Sequence, residues 1–206
     1  MADKTTRLYL IRHGETLANQ KHLLQGASDG ELTDEGRSQI EQLGRHMAHF
    51  QIDKIISSDL TRAYLTGAAI AKHLGLEVEI SPLVREWDCG VWDGRTQKEF
   101  LEMIEQLDGG IATFEPEGGE TMAQVQQRAS DFLAKILSED RGKTIAVCSH
   151  GDFIRMLLSC MLEIHSNQAS LFFFDNASYS LFEHDGKRWR AIFINRLPSL
   201  EREKIS

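Results

Sequence analysis

The spacing of apolar residues changes several times along the chain, and each change marks an element. Leu8-Tyr9-Leu10-Ile11 is an unbroken apolar run that stops at Arg12-His13-Gly14, the pattern of a buried strand ending in a tight turn. Residues 17–31, with Asn19, His22, Gln25 and Gly26, hold no period and read as a loop or a short irregular helix. Thr33-Asp34-Glu35 is a helix start, followed by Ile40, Leu43, Met47 and Phe50 at helical spacing. Lys54 to Ser58 is a second short strand; Leu60, Ala63, Gly67, Ile70 and Leu74 then line one helix face, with Gly75 as its stop. Glu77 to Ile80 alternates as a short strand, and Arg85 to Gly94 has no period at all. Two Trp and two Gly in that stretch predict an ordered, packed excursion. A helix is predicted from Gln97 to Leu107, and another after the capping box Thr121-x-x-Gln124, burying Met122, Val125, Ala129, Phe132, Leu133 and Ile136.

A strand from Thr144 to Ser149 then delivers His150-Gly151, and a helix follows with Ile154, Leu157, Leu158 and Met161 inward. The end of the chain differs in kind. Leu171 to Phe174, Tyr179 to Phe182 and Trp189 to Ile194 read as strands, the last two joined by His184-Asp185-Gly186-Lys187, a hairpin signal. Strands alternating with helices predict a three-layer α/β/α sandwich, its central sheet mostly parallel with an antiparallel edge. No repeat or linker interrupts residues 1–206, so one domain is expected, with a frayed polar tail from about residue 198.

Composition narrows the chemistry. A formal net charge of −8 argues against general nucleic-acid binding, so an anionic ligand must be drawn by a local positive pocket. Cys89, Cys148 and Cys160 are odd in number and lack metal-site spacing, as expected of reduced cytoplasmic thiols. The N-terminus lacks a signal-peptide core, and no apolar run reaches the ~18 residues of a membrane span. The expectation is a cytoplasmic protein with no membrane or nucleic-acid partner, a homodimer remaining open.

Two strands end in a His-Gly corner, and ligands of open α/β sheets bind at the carboxyl edge. If the strands are neighbours, His13 and His150 can face each other. Arg12 and Arg62 bring guanidiniums to the same edge, the second imidazole adds a cationic donor as imidazolium, and Gly151 opens a helix whose amino end favours an anion. Such a pocket suits a phosphoryl group. No Gly-x-x-x-x-Gly-Lys-Ser/Thr loop is present, and His22, His46, His49, His73, His165 and His184 show no ligand spacing. Arg85, Arg128 and Arg155 read as ion-pair or surface residues.

Leu10-Ile11-Arg12-His13-Gly14-Glu15-Thr16 and Ser149-His150-Gly151 resemble the paired signatures of the histidine phosphatase superfamily, and Ser57-Ser58-Asp59-Leu60-Thr61-Arg62-Ala63 is similar to another of its motifs. The resemblance implies that His13 is the phosphorylated nucleophile, that Arg12 and Arg62 hold the phosphoryl oxygens, and that His150 donates to the transferring group. It further implies that Glu86 is the proton donor to the leaving oxygen, with Asp88 the nearby alternative. Asn19 and Gly151 are expected at the phosphate, Gln25 and Gly26 at the phosphate or the rest of the substrate. Glu86 must be protonated in the first step, which a raised pKa beside Trp87 or Trp92 would serve.

The expected activity is hydrolysis of a small phosphorylated metabolite through phosphohistidine, without metal or other cofactor. A phosphoglycerate mutase is the alternative, a non-catalytic phosphate-binding module a further one. Family mutases resemble longer chains with a larger, more basic insertion. The span from Glu86 to Pro116 here carries Asp88, Asp93, Glu99, Glu102, Glu105, Asp108 and Glu115 against Arg95 and Lys98. That favours the hydrolytic branch.

Overall fold

The computed structural model of the chain describes residues 5–199. Six strands run β1 (Thr6–Arg12), β2 (Lys54–Ser57), β3 (Val78–Ile80), β4 (Thr144–Ser149), β5 (Tyr179–His184) and β6 (Trp189–Arg196). The helices are α1 (Leu17–Gln20), α2 (Asp34–Met47), α3 (Thr61–Leu74), α4 (Gln97–Ile104), α5 (Met122–Glu139), α6 (Gly151–Leu162) and α7 (Ser166–Ala169). The sheet order is β3-β2-β4-β1-β5-β6, parallel from β3 to β1 and antiparallel at β5 and β6. The expected three-layer sandwich with an antiparallel edge is therefore the fold observed.

Alternation along the strands divides the core in two. Leu8, Leu10, Ile56, Ile145, Val147 and Phe182 face α5 and α6, packing on Val125, Phe132, Phe153 and Leu157. Tyr9, Ile11, Ile55, Ala146, Cys148 and Tyr179 face the other way, onto Leu43, Met47 and Ile70 of α2 and α3. The local signals act as read: Thr33 and Thr121 cap α2 and α5, and Gly75 ends α3 with φ 68°, a left-handed conformation that glycine adopts without cost.

One predicted strand is absent. Leu171 to Phe174 is irregular backbone, with Leu171 83% and Phe173 63% exposed while Phe174 is buried. An apolar run of four has no intrinsic period, and this one lies between α7 and β5 as a strap whose carbonyls serve side chains instead of a neighbouring strand. The predicted tail lies almost wholly outside the described residues. Among the described residues no helix is long and apolar enough to cross a membrane.

Candidate active site

All four parallel strands deliver a predicted site residue to one edge of the sheet. β1 ends in Arg12 and His13, β4 in His150, β2 leads through Ser58 to Arg62 in the first turn of α3, and β3 leads through a single 3₁₀ turn to Glu86. Arg12 pairs with Ser149 across β1 and β4, and the His13 N–H donates to the Ser149 carbonyl at 3.0 Å. That register sets the two imidazoles side by side, their ring centroids 5.2 Å apart.

The two rings make opposite hydrogen bonds. His13 Nδ1 lies 2.8 Å from the Gly14 carbonyl, so Nδ1 carries the proton and Nε2 keeps a lone pair. His150 Nδ1 accepts from Arg62 Nε at 3.2 Å, which places the proton on Nε2. Burial, with Arg62 and other cationic neighbours, holds both pKa values well below that of ordinary histidine. His150 is thus a neutral imidazole in the ligand-free pocket, where an imidazolium is expected from the sequence. Its Nε2 and the Nε of Arg12 are buried without a partner. Buried donors left unpaired cost free energy, so they mark where an acceptor belongs.

Arg62 is fully buried and its remaining bonds go to backbone: Nη1 to the Ser28 carbonyl and Nη2 to the Gly26 carbonyl, both at 2.7 Å. The loop it holds is tied to α3 from outside, because both Asp29 carboxylate oxygens accept from Thr61, at 2.8 and 2.7 Å. Thr66 accepts from the Gly14 N–H and donates to the Arg62 carbonyl, linking the β1 corner to α3.

Glu86 is buried across the amino end of α6. Its Oε1 accepts from the Trp87, Asp152 and Phe153 N–H groups at 2.9, 3.1 and 3.0 Å, while Oε2 has only the Asp152 N–H at 3.3 Å. The acceptor at this helix end is therefore the Glu86 carboxyl, where the sequence suggests a phosphoryl group. Its pKa is raised, first by burial and then by the Asp152 charge. Trp87 acts in the other direction, through its backbone N–H. A Cβ at Gly151 would lie 3.8 Å from Arg12 Nε and 3.9 Å from Glu86 Oε2, so its missing side chain leaves open the space they share.

The remaining predicted residues are tied into the loops by their own hydrogen bonds and packing. Asn19 completes a capping box with Thr16, and its Oδ1 also accepts from Asn176 Nδ2 at 3.0 Å. Gln25 Oε1 accepts from the Thr16 hydroxyl at 2.9 Å, and its amide packs against Gly30. Gly26 is packed too tightly on Trp87 and Cys89 for any side chain, and its carbonyl faces Arg62. Asp88 turns to the backbone, accepting the Gly90 N–H at 3.0 Å. Sequence reasoning misses Asn176, which donates to the His13 carbonyl at 3.1 Å, and the Phe174 carbonyl, which accepts from Arg12 Nη1 at 2.6 Å. Phe174 ends the run misread as a strand and Asn176 follows two residues later; the only signal is Asp175-Asn176 closing the apolar run.

A neutral imidazole with a free lone pair, two guanidiniums and unpartnered buried donors together have the chemistry to receive an oxyanion beside a nitrogen able to attack. A model of the histidine phosphatase superfamily (branch 1) matches residues 8–196, and the chain belongs to that superfamily. It is 31% identical over 189 residues to a protein of Erwinia tasmaniensis named "Probable phosphoglycerate mutase GpmB", covering 90% of this chain and 88% of that one. It is 32% identical over 187 residues to Phosphoserine phosphatase 1 of Hydrogenobacter thermophilus, covering 88% of each. Mycobacterial glucosyl-3-phosphoglycerate phosphatase superposes with a TM-score of 0.82 at 27% identity, over 93% of this chain and 99% of that one.

Proposed function

We propose that the protein is a phosphomonoester hydrolase that works through phosphohistidine on a small phosphorylated metabolite. The observation that carries this reading is the complementary pair of tautomers: His13 keeps a lone pair on Nε2, and on the ring 5.2 Å away His150 Nε2–H, like Arg12 Nε–H, lacks an acceptor. In the first step His13 Nε2 forms a bond to phosphorus as the ester P–O bond breaks, and Glu86 gives its proton to the leaving alkoxide. Oε2, with a single N–H at 3.3 Å, is the oxygen left to carry that proton, and burial shifts the Glu86 pKa upward, in the direction this role requires. In the second step water attacks phosphorus, Glu86 takes the water proton, and the P–N bond breaks to restore His13. Arg12, Arg62 and His150 neutralise the phosphoryl oxygens throughout, which in this chemistry is the larger part of catalysis.

Asn19 and Gly151 are read as neighbours of the phosphate, Gln25 and Gly26 as part of the loop that meets the substrate, with the Gly26 carbonyl also holding Arg62. The donor set is sufficient without a divalent ion, so the reaction is proposed to be metal-independent. Mutase chemistry is the second reading, favoured by the name of the Erwinia tasmaniensis relative. Incubation with a panel of phosphorylated metabolites tests the two, with 3-phosphoglycerate followed with and without a bisphosphoglycerate primer. Free phosphate is the expected product. Isomerisation of 3-phosphoglycerate far outrunning phosphate release would reverse the assignment.

A further inference from the structure

The segment that carries Glu86 is held at four consecutive carbonyls by side chains of other elements. Val84 accepts from Ser149 Oγ at 2.7 Å; Leu83 and Arg85 accept from Arg128 Nη1 at 3.0 and 3.1 Å, and Glu86 from Arg128 Nη2 at 3.2 Å. Arg128, on α5, also donates from Nε and Nη2 to the two carboxylate oxygens of Glu120, each at 2.8 Å. A guanidinium has five N–H donors, and these contacts use one each. The same group lies 5.6 Å from the centre of the Phe153 ring, and the Phe153 N–H is one of those donating to Glu86. Glu120 carries the hold past Glu86: its carboxylate accepts the Asp88 N–H at 3.1 Å, and its carbonyl accepts the Trp87 indole N–H.

A surface ion pair would need only the Glu120 contacts. Three of the five donors go instead to the backbone on the approach to one carboxyl group, at Leu83, Arg85 and Glu86. We propose that Arg128 is a positioning residue for Glu86: its planar fork, oriented by Glu120, sets where the carboxyl stands relative to the leaving oxygen. This rests on the reading of Glu86 as the acid. Arg128 acts on proton transfer and leaves phosphate binding alone, because its hydrogen bonds go to Glu120 and the Leu83–Glu86 backbone and none to Arg12, Arg62 or His150, and lysine in its place keeps the charge. Lysine cannot substitute, since an ammonium is a compact charge with three donors and no planar fork.

The test is a double-mutant cycle on the full chain with Arg128→Lys, Glu86→Gln and the double variant, using an alkyl phosphate and p-nitrophenyl phosphate. The readout is kcat/KM, which covers the steps up to phosphohistidine. Arg128→Lys should lower it roughly 10–100-fold for the alkyl ester, the scale expected of a small misplacement. The loss should be much smaller for the nitrophenyl ester, whose leaving group needs little protonation. Competitive inhibition by inorganic phosphate should be unchanged, and Arg128→Lys should add little once Glu86 is Gln. Equal losses on both esters, or full multiplication of the two effects, would reduce Arg128 to a structural ion pair. If Glu86→Gln itself leaves the alkyl ester rate unaltered, the acid assignment fails first and this proposal with it. Should Arg128→Lys not fold, Glu120→Gln takes its place in the same cycle with the same expected pattern.

Discussion

The two histidine corners arise from one local pattern and end in opposite chemical states. Each follows a buried parallel strand, each precedes a glycine, and the strands are hydrogen-bonded neighbours. At the β1 corner the nearest acceptor is the carbonyl of Gly14, which takes the Nδ1 proton and exposes a lone pair. At the β4 corner the nearest group is the Nε–H of Arg62, which occupies Nδ1 and turns the remaining N–H into the pocket. A side chain from a third strand's crossover thus decides which imidazole keeps a lone pair on Nε2 and which keeps an N–H there. Their shared property is suppression of charge: burial and the guanidiniums beside them hold both pKa values well below that of ordinary histidine.

The contrast can be broken most severely at the attacking ring. His13→Ala should abolish turnover and with it the acid-labile, alkali-stable phosphoryl label trapped by rapid quenching of the wild type. His150→Ala should lower kcat by roughly 10²–10³-fold, the usual loss for one donor to a developing oxyanion, while label still accumulates on His13. If both variants lose the label alike, the division of labour between the two corners is wrong.

A smaller effect should appear in stability. Below the ordinary imidazole pKa of about 6.5 the unfolded chain takes up protons that the folded His13 and His150 refuse. Stability is therefore complete above that pH and falls on acidification, by up to about 1.4 kcal/mol per pH unit for each ring. Glu86 has the opposite sign: its raised pKa lets the folded state bind a proton first, which offsets part of the acid loss. Denaturant unfolding between pH 7 and pH 5 should show a slope that His13→Gln and His150→Gln each flatten and Glu86→Gln steepens. A slope unchanged in all three would mean that these groups titrate alike in both states.

The smallest expected effect is none. Prolonged EDTA treatment should leave activity intact, because two guanidiniums and an imidazole N–H already meet the phosphoryl charge. Loss that manganese or zinc restores would sharpen the comparison in an unexpected way, by making one of the rings a metal ligand.

Much of this was legible in one dimension. Strand and helix order, the caps at Thr33 and Thr121, the stop at Gly75 and the sandwich itself follow from hydrophobic period and local backbone preference, which act over a few residues. So does the choice of His13, His150, Arg12 and Arg62, because each stands at or just after the carboxyl end of a readable strand. Glu86 has no such frame; without the family resemblance, nothing in an aperiodic loop separates it from Asp88. Only the tertiary structure decides the tautomers, the raised pKa of Glu86 and the partners of Asn19, Gln25 and Asn176, since each depends on contacts or burial that form on folding. The strap at Leu171–Phe174 makes the same point: an isolated apolar run is compatible with a strand, and only its neighbours determine whether its backbone joins a sheet or accepts from Arg12 and Arg155. Local sequence encodes period and conformation, whereas protonation and hydrogen-bond partnership depend on the field and contacts of the folded chain.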